Sequence, residues 1–225
     1  MKNIVLAGKN SLETSQRLAD ALGFTLVKYG HPFEEDVNIC IRYGNRTLSV
    51  NSNLEFNTLL SVQNTADKKV MMDLFLANDV PVPPLITSGY GFYRNSKGVT
   101  KLKSNIEEGD VYGTKRIEKV KEYRVHVFNG SIISVMEKIQ RSGMNTIYSK
   151  LENSIFKKVD IYDTQISDYS IKAINACGLI FGGVDIIYDG HQYYVLEANS
   201  ACGLGPKNVE LWEKHITQYI NGNRN

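Results

Sequence analysis

Along the first third of the chain the apolar positions form short unbroken runs separated by polar, helix-period stretches. Ile4-Val5-Leu6-Ala7 has the pattern of a buried strand. Asn10 with Glu13 three positions on predicts a helix start, and Gly23 its stop, with Leu12, Ala19 and Leu22 on the inner face. Phe24 to Lys28 and Val37 to Ile41 read as the next two strands. Strand, helix, strand in that order predicts a small three-layer α/β unit. Gly8 follows the first strand without a glycine-rich fingerprint, so it reads as a turn glycine and not as a phosphate loop. Thr65 to Asn78 returns to helical spacing through Val70, Met71, Leu74 and Phe75, and Pro81, Pro83 and Pro84 close it. From Leu85 to Val120 the pattern is weak.

The period then changes to two. Glu122 to Phe128 alternates so that Glu122, Arg124, His126 and Phe128 share one face, and Tyr123, Val125 and Val127 the other. Asn129-Gly130 is a strong two-residue hairpin signal, answered by Ser131 to Ile139. A second hairpin is predicted from Val184 to Asp189 and Tyr193 to Asn199, turning at Asp189-Gly190. One helix is expected from Ser167 to Gly178. A last one carries Val209, Trp212, Ile216 and Tyr219 on one side, with Trp212 as a core anchor.

Composition narrows the class. The 225 residues are 42% hydrophobic, enough for one or two domains, and the net charge of +2 gives no electrostatic case for nucleic acid or an acidic membrane. Cys40, Cys177 and Cys202 are scattered and outside any zinc spacing, which fits reduced thiols in a cytoplasmic protein. No stretch is long and apolar enough to span a bilayer.

The chemistry concentrates on the second hairpin. A lone acidic residue on a strand is ordinarily a solvated one. Asp185 and Glu197, however, are bracketed by apolar runs, and buried charge needs a partner. Glu197 and Asn199 share a face. Whether Asp185 joins them depends on register: a regular two-residue turn would set it opposite Tyr194, facing away, and a one-residue slip reverses this. A shared ion therefore requires a loop of odd length or a bulge in one strand, with Gly190 supplying positive φ. Two carboxylates and an amide oxygen form a hard-oxygen set suited to Mg²⁺, with Mn²⁺ as the alternative. No Ser-His-Asp or Cys-His arrangement is visible, which fits phosphoryl transfer, where positioning and charge neutralisation do the work. Arg42, at the end of the third strand, reads either as a ligand for a carboxylate or as a turn arginine.

Phe181-Gly182-Gly183-Val184-Asp185-Ile186-Ile187, followed by Val195-Leu196-Glu197-Ala198-Asn199-Ser200-Ala201-Cys202-Gly203-Leu204, resembles the metal-binding end of the ATP-grasp superfamily. The likeness is to its carboxylate–amine ligase branch, which includes the ribosomal-protein glutamate ligases, D-alanine–D-alanine ligase and small phage-type ligases. It implies an α/β ATP-grasp fold with a short N-terminal α/β domain over 1–60 and an ATP-grasp domain over 61–225, whose reduced lid subdomain spans about 85–116. The implied metal ligands are Asp185, Glu197 and Asn199.

The resemblance also distributes the nucleotide contacts. Lys68 would reach the phosphates, with Lys69 as the register alternative. The lid around Gly89-Tyr90-Gly91, Arg94, Lys97 and Gly98 would close over them, Arg94 standing for a second lysine. Tyr112 to Ile117 would be the hinge strand gripping adenine. Lys115 stands where many relatives carry a glutamate, beside Ile117. Glu122 would bind the ribose, and Arg124 the transferred phosphate or the carboxylate, with Lys138 and Arg141 as further catalytic cations. His126 is left as substrate-facing or structural.

The reaction implied is ATP-dependent joining of a small-molecule or peptide carboxylate to an amine through an acyl phosphate, releasing ADP. In a phage-encoded protein this would take place in the host cytoplasm. The alternatives are a small-molecule kinase using the same nucleotide site and a catalytically silent nucleotide-binding module.

Overall fold

A computed structural model describes residues 1–95, 99–140 and 154–222. Its first unit is a parallel sheet in the order β2-β1-β3-β4, formed by β1 (Lys2–Ala7), β2 (Thr25–Val27), β3 (Val37–Tyr43) and β4 (Ser52–Phe56). Both faces are apolar, as parallel strands require. On one face Val5, Ile39, Ile41 and Tyr43 pack with Leu18 and Ala19 of helix α1 (Leu12–Leu22) and with Val209, Trp212, Ile216 and Ile220 of the last helix, α5 (Pro206–Gly222). On the other, Ile4, Leu6, Val27, Val37 and Cys40 cluster with Phe33, Leu48 and Val50. Loop side chains thus stand where the three-layer expectation placed a second helix layer.

Helix α1 starts at Ser11, not Asn10. The Ser11 side chain makes no capping bond, because its hydroxyl donates to the Tyr43 carbonyl (3.0 Å) and accepts from the Gly8 amide (2.9 Å). Gly23 ends the helix in the left-handed region at φ 66°, as expected. Leu12, expected on the inner face, is 46% exposed: it keeps the phase of the buried stripe but is the first residue of the helix.

The stretch expected as one helix over 65–78 is two. Asp67 has extended backbone (φ −88°, ψ 109°), ends α2 (Leu59–Ala66) and caps α3 (Lys68–Ala77), its carboxylate accepting from the Lys69 and Val70 amides. This break sets Lys68 at the first position of α3.

The weakly patterned region folds into an antiparallel sheet, β5-β8-β6-β7, from β5 (Leu85–Ile86), β6 (Ser88–Asn95), β7 (Thr100–Asn105) and β8 (Asp110–Lys115). Gly89 to Gly91 lies inside β6 and not in a phosphate loop. Gly91 is needed where β6 crosses β8, since a Cβ there would meet the Thr114 carbonyl oxygen at 2.4 Å. Lys97 and Gly98 lie outside the described residues.

The third sheet is antiparallel, β11-β10-β9-β12-β13. Its strands are β9 (Lys121–Phe128), β10 (Ser131–Gln140), β11 (Ser154–Lys158), β12 (Phe181–Tyr188) and β13 (Tyr193–Asn199). Asn129 and Gly130 both take positive φ (45° and 71°), as a two-residue hairpin turn demands. One face buries Tyr123, Val125, Val127, Val184, Ile186, Val195 and Ala198 against α4 (Thr164–Ala176) and against Met71 and Phe75 of α3. Helix α4 begins earlier than the sequence suggested, at an Asp163 cap. The other face grades from charged residues at Glu122 and Arg124 to aromatic ones at Phe128 and Phe181, which enter the core shared with α5. Among the described residues no helix is long and apolar enough to cross a membrane.

Candidate functional site

The β12–β13 hairpin pairs Tyr188 with Tyr193, leaving the loop Asp189-Gly190-His191-Gln192. Asp189 Oδ1 closes it by accepting from the His191 and Gln192 amides (both 2.8 Å), and Gly190 takes φ 101°. With a loop of this even length a regular ladder would set Asp185 against Leu196. Instead the register shifts between Asp185 and Ile186: Ile186 faces Val195 and Asp185 faces Glu197. Leu196 is the extra residue of a β-bulge. Of the two ways to bring the carboxylates onto one face, the chain uses the bulge and not an odd loop.

The rung continues across the sheet, because Asp185 also faces Arg124 on β9. Arg124 Nε and Nη2 donate to the two Asp185 carboxylate oxygens, each at 2.7 Å. Lys68 Nζ lies 3.0 Å from Glu197 Oε2, and the Asn199 amide donates to Glu197 Oε1 at 3.0 Å. Both carboxylates therefore have a cation, Arg124 for Asp185 and Lys68 for Glu197. Burial pushes Asp185 above the usual carboxylate range against the pull of Arg124, with Glu197 and Glu122 adding to the rise. At Glu197 burial also opposes the charge. Lys68, the Asn199 amide and the field of Arg94 outweigh it and hold the group below the usual range. Burial likewise opposes the Arg124 charge, yet the Asp185 link raises its pKa and keeps it protonated.

One rung away Lys138 Nζ lies 2.9 Å from Glu122 Oε1, and Lys119 pairs with the other Glu122 oxygen. Burial of Glu122 works against ionisation, but these two lysines hold it ionised below the usual range. Lys119 was not anticipated from the sequence. Its only signal was a position three residues before Glu122.

Arg94 on β6 faces Tyr112 and Thr100 within the lid sheet, and its charge is felt at Glu197. Lys115 ends β8 with an exposed side chain, and its amide bonds to the Pro84 carbonyl at 2.8 Å. Ile117 follows in the segment joining lid to main sheet. Its neighbour Arg116 lies over the Tyr90 ring at 5.8 Å and has a buried Nε without a partner. The sequence reading placed Arg116 in the hinge strand without giving it a role of its own. Arg141 lies outside the described residues. Lys69 points away from the site and pairs with Asp73 at 2.5 Å.

Two open readings are resolved. Arg42 is 1% exposed and fully engaged, donating to Glu55 and to the Asn45 and Leu48 carbonyls, so it is a structural arginine. His126 is buried, and its Nδ1 accepts from Trp212 Nε1 at 3.1 Å. The ring proton therefore sits on Nε2, and burial pulls the pKa down to about 4. His126 is structural, and Trp212 is the core anchor expected of it. Gly183 lies between His126 and Asn199 on the next rung; a Cβ there would meet Cys202 Cβ at 2.6 Å. All three cysteines are free and buried, with thiols pushed up to about 12 by burial.

Residues 111–216 match a family model described as the RimK-like ATP-grasp domain. No curated protein matches the chain. Among solved structures the chain is similar to D-alanine–D-alanine ligase from Bacillus anthracis, at 14% identity and a TM-score of 0.71, covering 100% of this chain and 99% of that one. It is also similar to the ATP-grasp ligase PsnB, solved with a minimal precursor, at 12% identity and a TM-score of 0.69, covering 97% and 99%. A third similar structure is the macrocyclase MdnC bound with precursor peptide MdnA from Microcystis aeruginosa, at 11% identity and a TM-score of 0.65, covering 96% and 100%. At these identities the likeness establishes the fold.

Proposed function

We propose, from the match of residues 111–216 to a RimK-like ATP-grasp domain model, that the chain is an ATP-dependent ligase joining a carboxylate to an amine through an acyl phosphate, with release of ADP and phosphate. The observation that carries this reading is the rung Arg124–Asp185–Glu197, with Lys68 and Asn199 beside it.

The donor set fits a hard cation. Among the described residues no three of His, Cys, Asp and Glu converge as a cage. Asp185 and Glu197 face each other across β12 and β13 with Asn199 beside Glu197, so the set would offer two carboxylates and an amide oxygen and leave further positions to nucleotide and water oxygens. Asp185, Glu197 and Asn199 would hold the ion, which supplies charge withdrawal from the phosphate oxygens when bound.

The chain's own cations do the rest. With its Nε–Nη2 edge held by Asp185, Arg124 would turn its remaining Nη edge to the transferred phosphoryl group or the attacking carboxylate. Lys68, at the start of α3, neutralises a second oxygen, and Arg94 adds positive charge from the lid side. Glu122, held ionised by Lys119 and Lys138, is a ready acceptor for ribose hydroxyls. The hinge from Lys115 to Ile117 offers backbone groups to the adenine, with Arg116 alongside. Lys138 and Arg141 are assigned as further catalytic cations.

The test is a screen for ADP release with pooled amino acids and short peptides, products being identified by mass. Release that needs both an acid and an amine, with a condensed product, supports the ligase. A stable phosphorylated product would make the protein a kinase, and tight ATP binding without turnover would make it a silent module.

A further inference from the structure

A cleft of about 320 Å³ opens between the first sheet and the end of β13, lined among others by Gly8, Lys9, Gly44, Arg46, Lys68 and Asn199. Its position follows from topology. In the order β2-β1-β3-β4 the chain leaves β1 toward β2 on one side and returns to β3 on the other. The C-terminal ends of β1 and β3 therefore diverge at a switch point, the place where open parallel sheets bind ligands. Gly8 and Gly44 stand at those two ends, backbone against backbone: a Cβ on Gly8 would meet the Gly44 carbonyl oxygen at 2.5 Å. Gly8 is thus a close-approach glycine, and the cleft mouth is built of bare main chain.

The charge of the lining is one-sided. It contains Lys9, Arg46 and Lys68 and no carboxylate. Lys68 is committed to Glu197, at the end of the cleft shared with the candidate phosphate site. The Lys9 and Arg46 side chains, in the same lining, have no hydrogen-bond or ion-pair partner among the described residues. Two free cations facing one space over mutually close backbones are poorly arranged for a neutral or cationic occupant.

We propose that this cleft takes a small substrate whose non-reacting end is a carboxylate, held by Lys9 and Arg46, while its reacting end lies at Asn199. The assignment of the reacting end rests on the ligase reading. The volume suits a ligand of amino-acid to dipeptide size, at the small end of ordinary ligand sites.

The test follows amide shifts of the ¹⁵N-labelled full chain during titration with succinate, glutarate and adipate, and with their diamides at matched ionic strength. The expected result is a saturable shift of the Gly8, Gly44 and Ala201 amides with at least one dicarboxylate and none with its diamide. The double variant Lys9→Ala, Arg46→Ala weakens this binding roughly tenfold or more. Lys9→Arg, Arg46→Lys retains it, and Lys101→Ala, which removes one exposed charge on the lid, matches the wild type. Equal responses to acid and diamide, no response to any dicarboxylate, or an unchanged double alanine variant overturns the proposal. A parallel titration with Mg·ATP reads the other end of the site. Dicarboxylate binding without ATP binding would retire the ligase reading and keep the anion site. ATP binding without dicarboxylate binding would do the reverse.

Discussion

Arg124 holds Asp185 by two parallel hydrogen bonds of 2.7 Å across neighbouring strands, at the centre of the charged face. An ammonium group cannot reproduce this fork. Arg124→Lys is expected to lower turnover at saturating ATP by more than about tenfold, with the fold retained by circular dichroism. An unchanged rate would reduce Arg124 to a partner of Asp185 alone.

Glu197→Gln and Asn199→Ala should each remove about 2 kcal/mol of transition-state stabilisation, roughly a thirtyfold loss in rate. The loss should deepen when Mg²⁺ is limiting, which separates a metal ligand from a packing residue. Wild-type turnover of both variants at limiting Mg²⁺ would remove the metal assignment.

Lys68 and Lys69 are adjacent in sequence and opposite in role. Lys68 reaches Glu197, whereas Lys69 pairs with the exposed Asp73. Lys68→Ala should weaken nucleotide binding roughly tenfold or more. Lys69→Ala should leave it unchanged and cost only about 0.5 kcal/mol of stability, the ordinary value of an exposed i,i+4 pair. Calorimetric titration with ATP distinguishes them, and equal effects would break the assignment.

His126 makes stability depend on acid. Its folded pKa is lowered to about 4 from an ordinary 6.5 by burial, with Arg124 adding to the fall. The unfolded chain therefore takes up a proton first as pH drops. The contribution is intact above the unfolded value, is lost between the two, and stops changing below the folded one. The loss is about 3 kcal/mol. Urea unfolding followed by the fluorescence of Trp212, the sole tryptophan, should show it between neutral pH and mild acid. His126→Gln, whose amide oxygen can accept the indole N–H without titrating, should flatten the profile. An equal slope in both proteins would be the contrary result.

Gly8→Ala would drive a methyl into the Gly44 carbonyl at 2.5 Å, backbone against backbone. We expect a loss of about 2 kcal/mol and a melting temperature lower by roughly 4 °C or more. Unchanged melting would show that the two strand ends can part freely.

The elements with strong periodicity were legible in the sequence: β1, the Asn129-Gly130 hairpin, and the face shared by Glu122, Arg124 and His126. The site was legible as residue types, since Asp185, Glu197 and Asn199 could be read as one donor set. Its assembly was only conditionally legible, because the need for a slip could be counted but the choice of a bulge at Leu196 is made by tertiary packing. The lid was legible only through the resemblance, because its short strands mix lysine, glycine and asparagine with apolar residues and carry little periodic signal of their own. The α2–α3 break escaped because Asp67 reads equally well inside a helix or as its cap. Arg46 and Lys9 escaped because exposed loop cations carry no pattern, and only the topology of the first sheet brings them to one cleft.

The first strand and the last helix share one core, with Val5 and Leu18 packed among Trp212, Ile216 and Ile220. During synthesis at the ribosome the first sheet is complete in sequence long before the helix that covers it has emerged. The part of its apolar face that α1 leaves uncovered must wait for α5, which is made much later. Such contacts between distant parts of a sequence are slow to form and prone to misassembly in the interval. The order of folding is thus expected to run against the order of synthesis, with the first sheet acquiring its final stability only when the last helix docks.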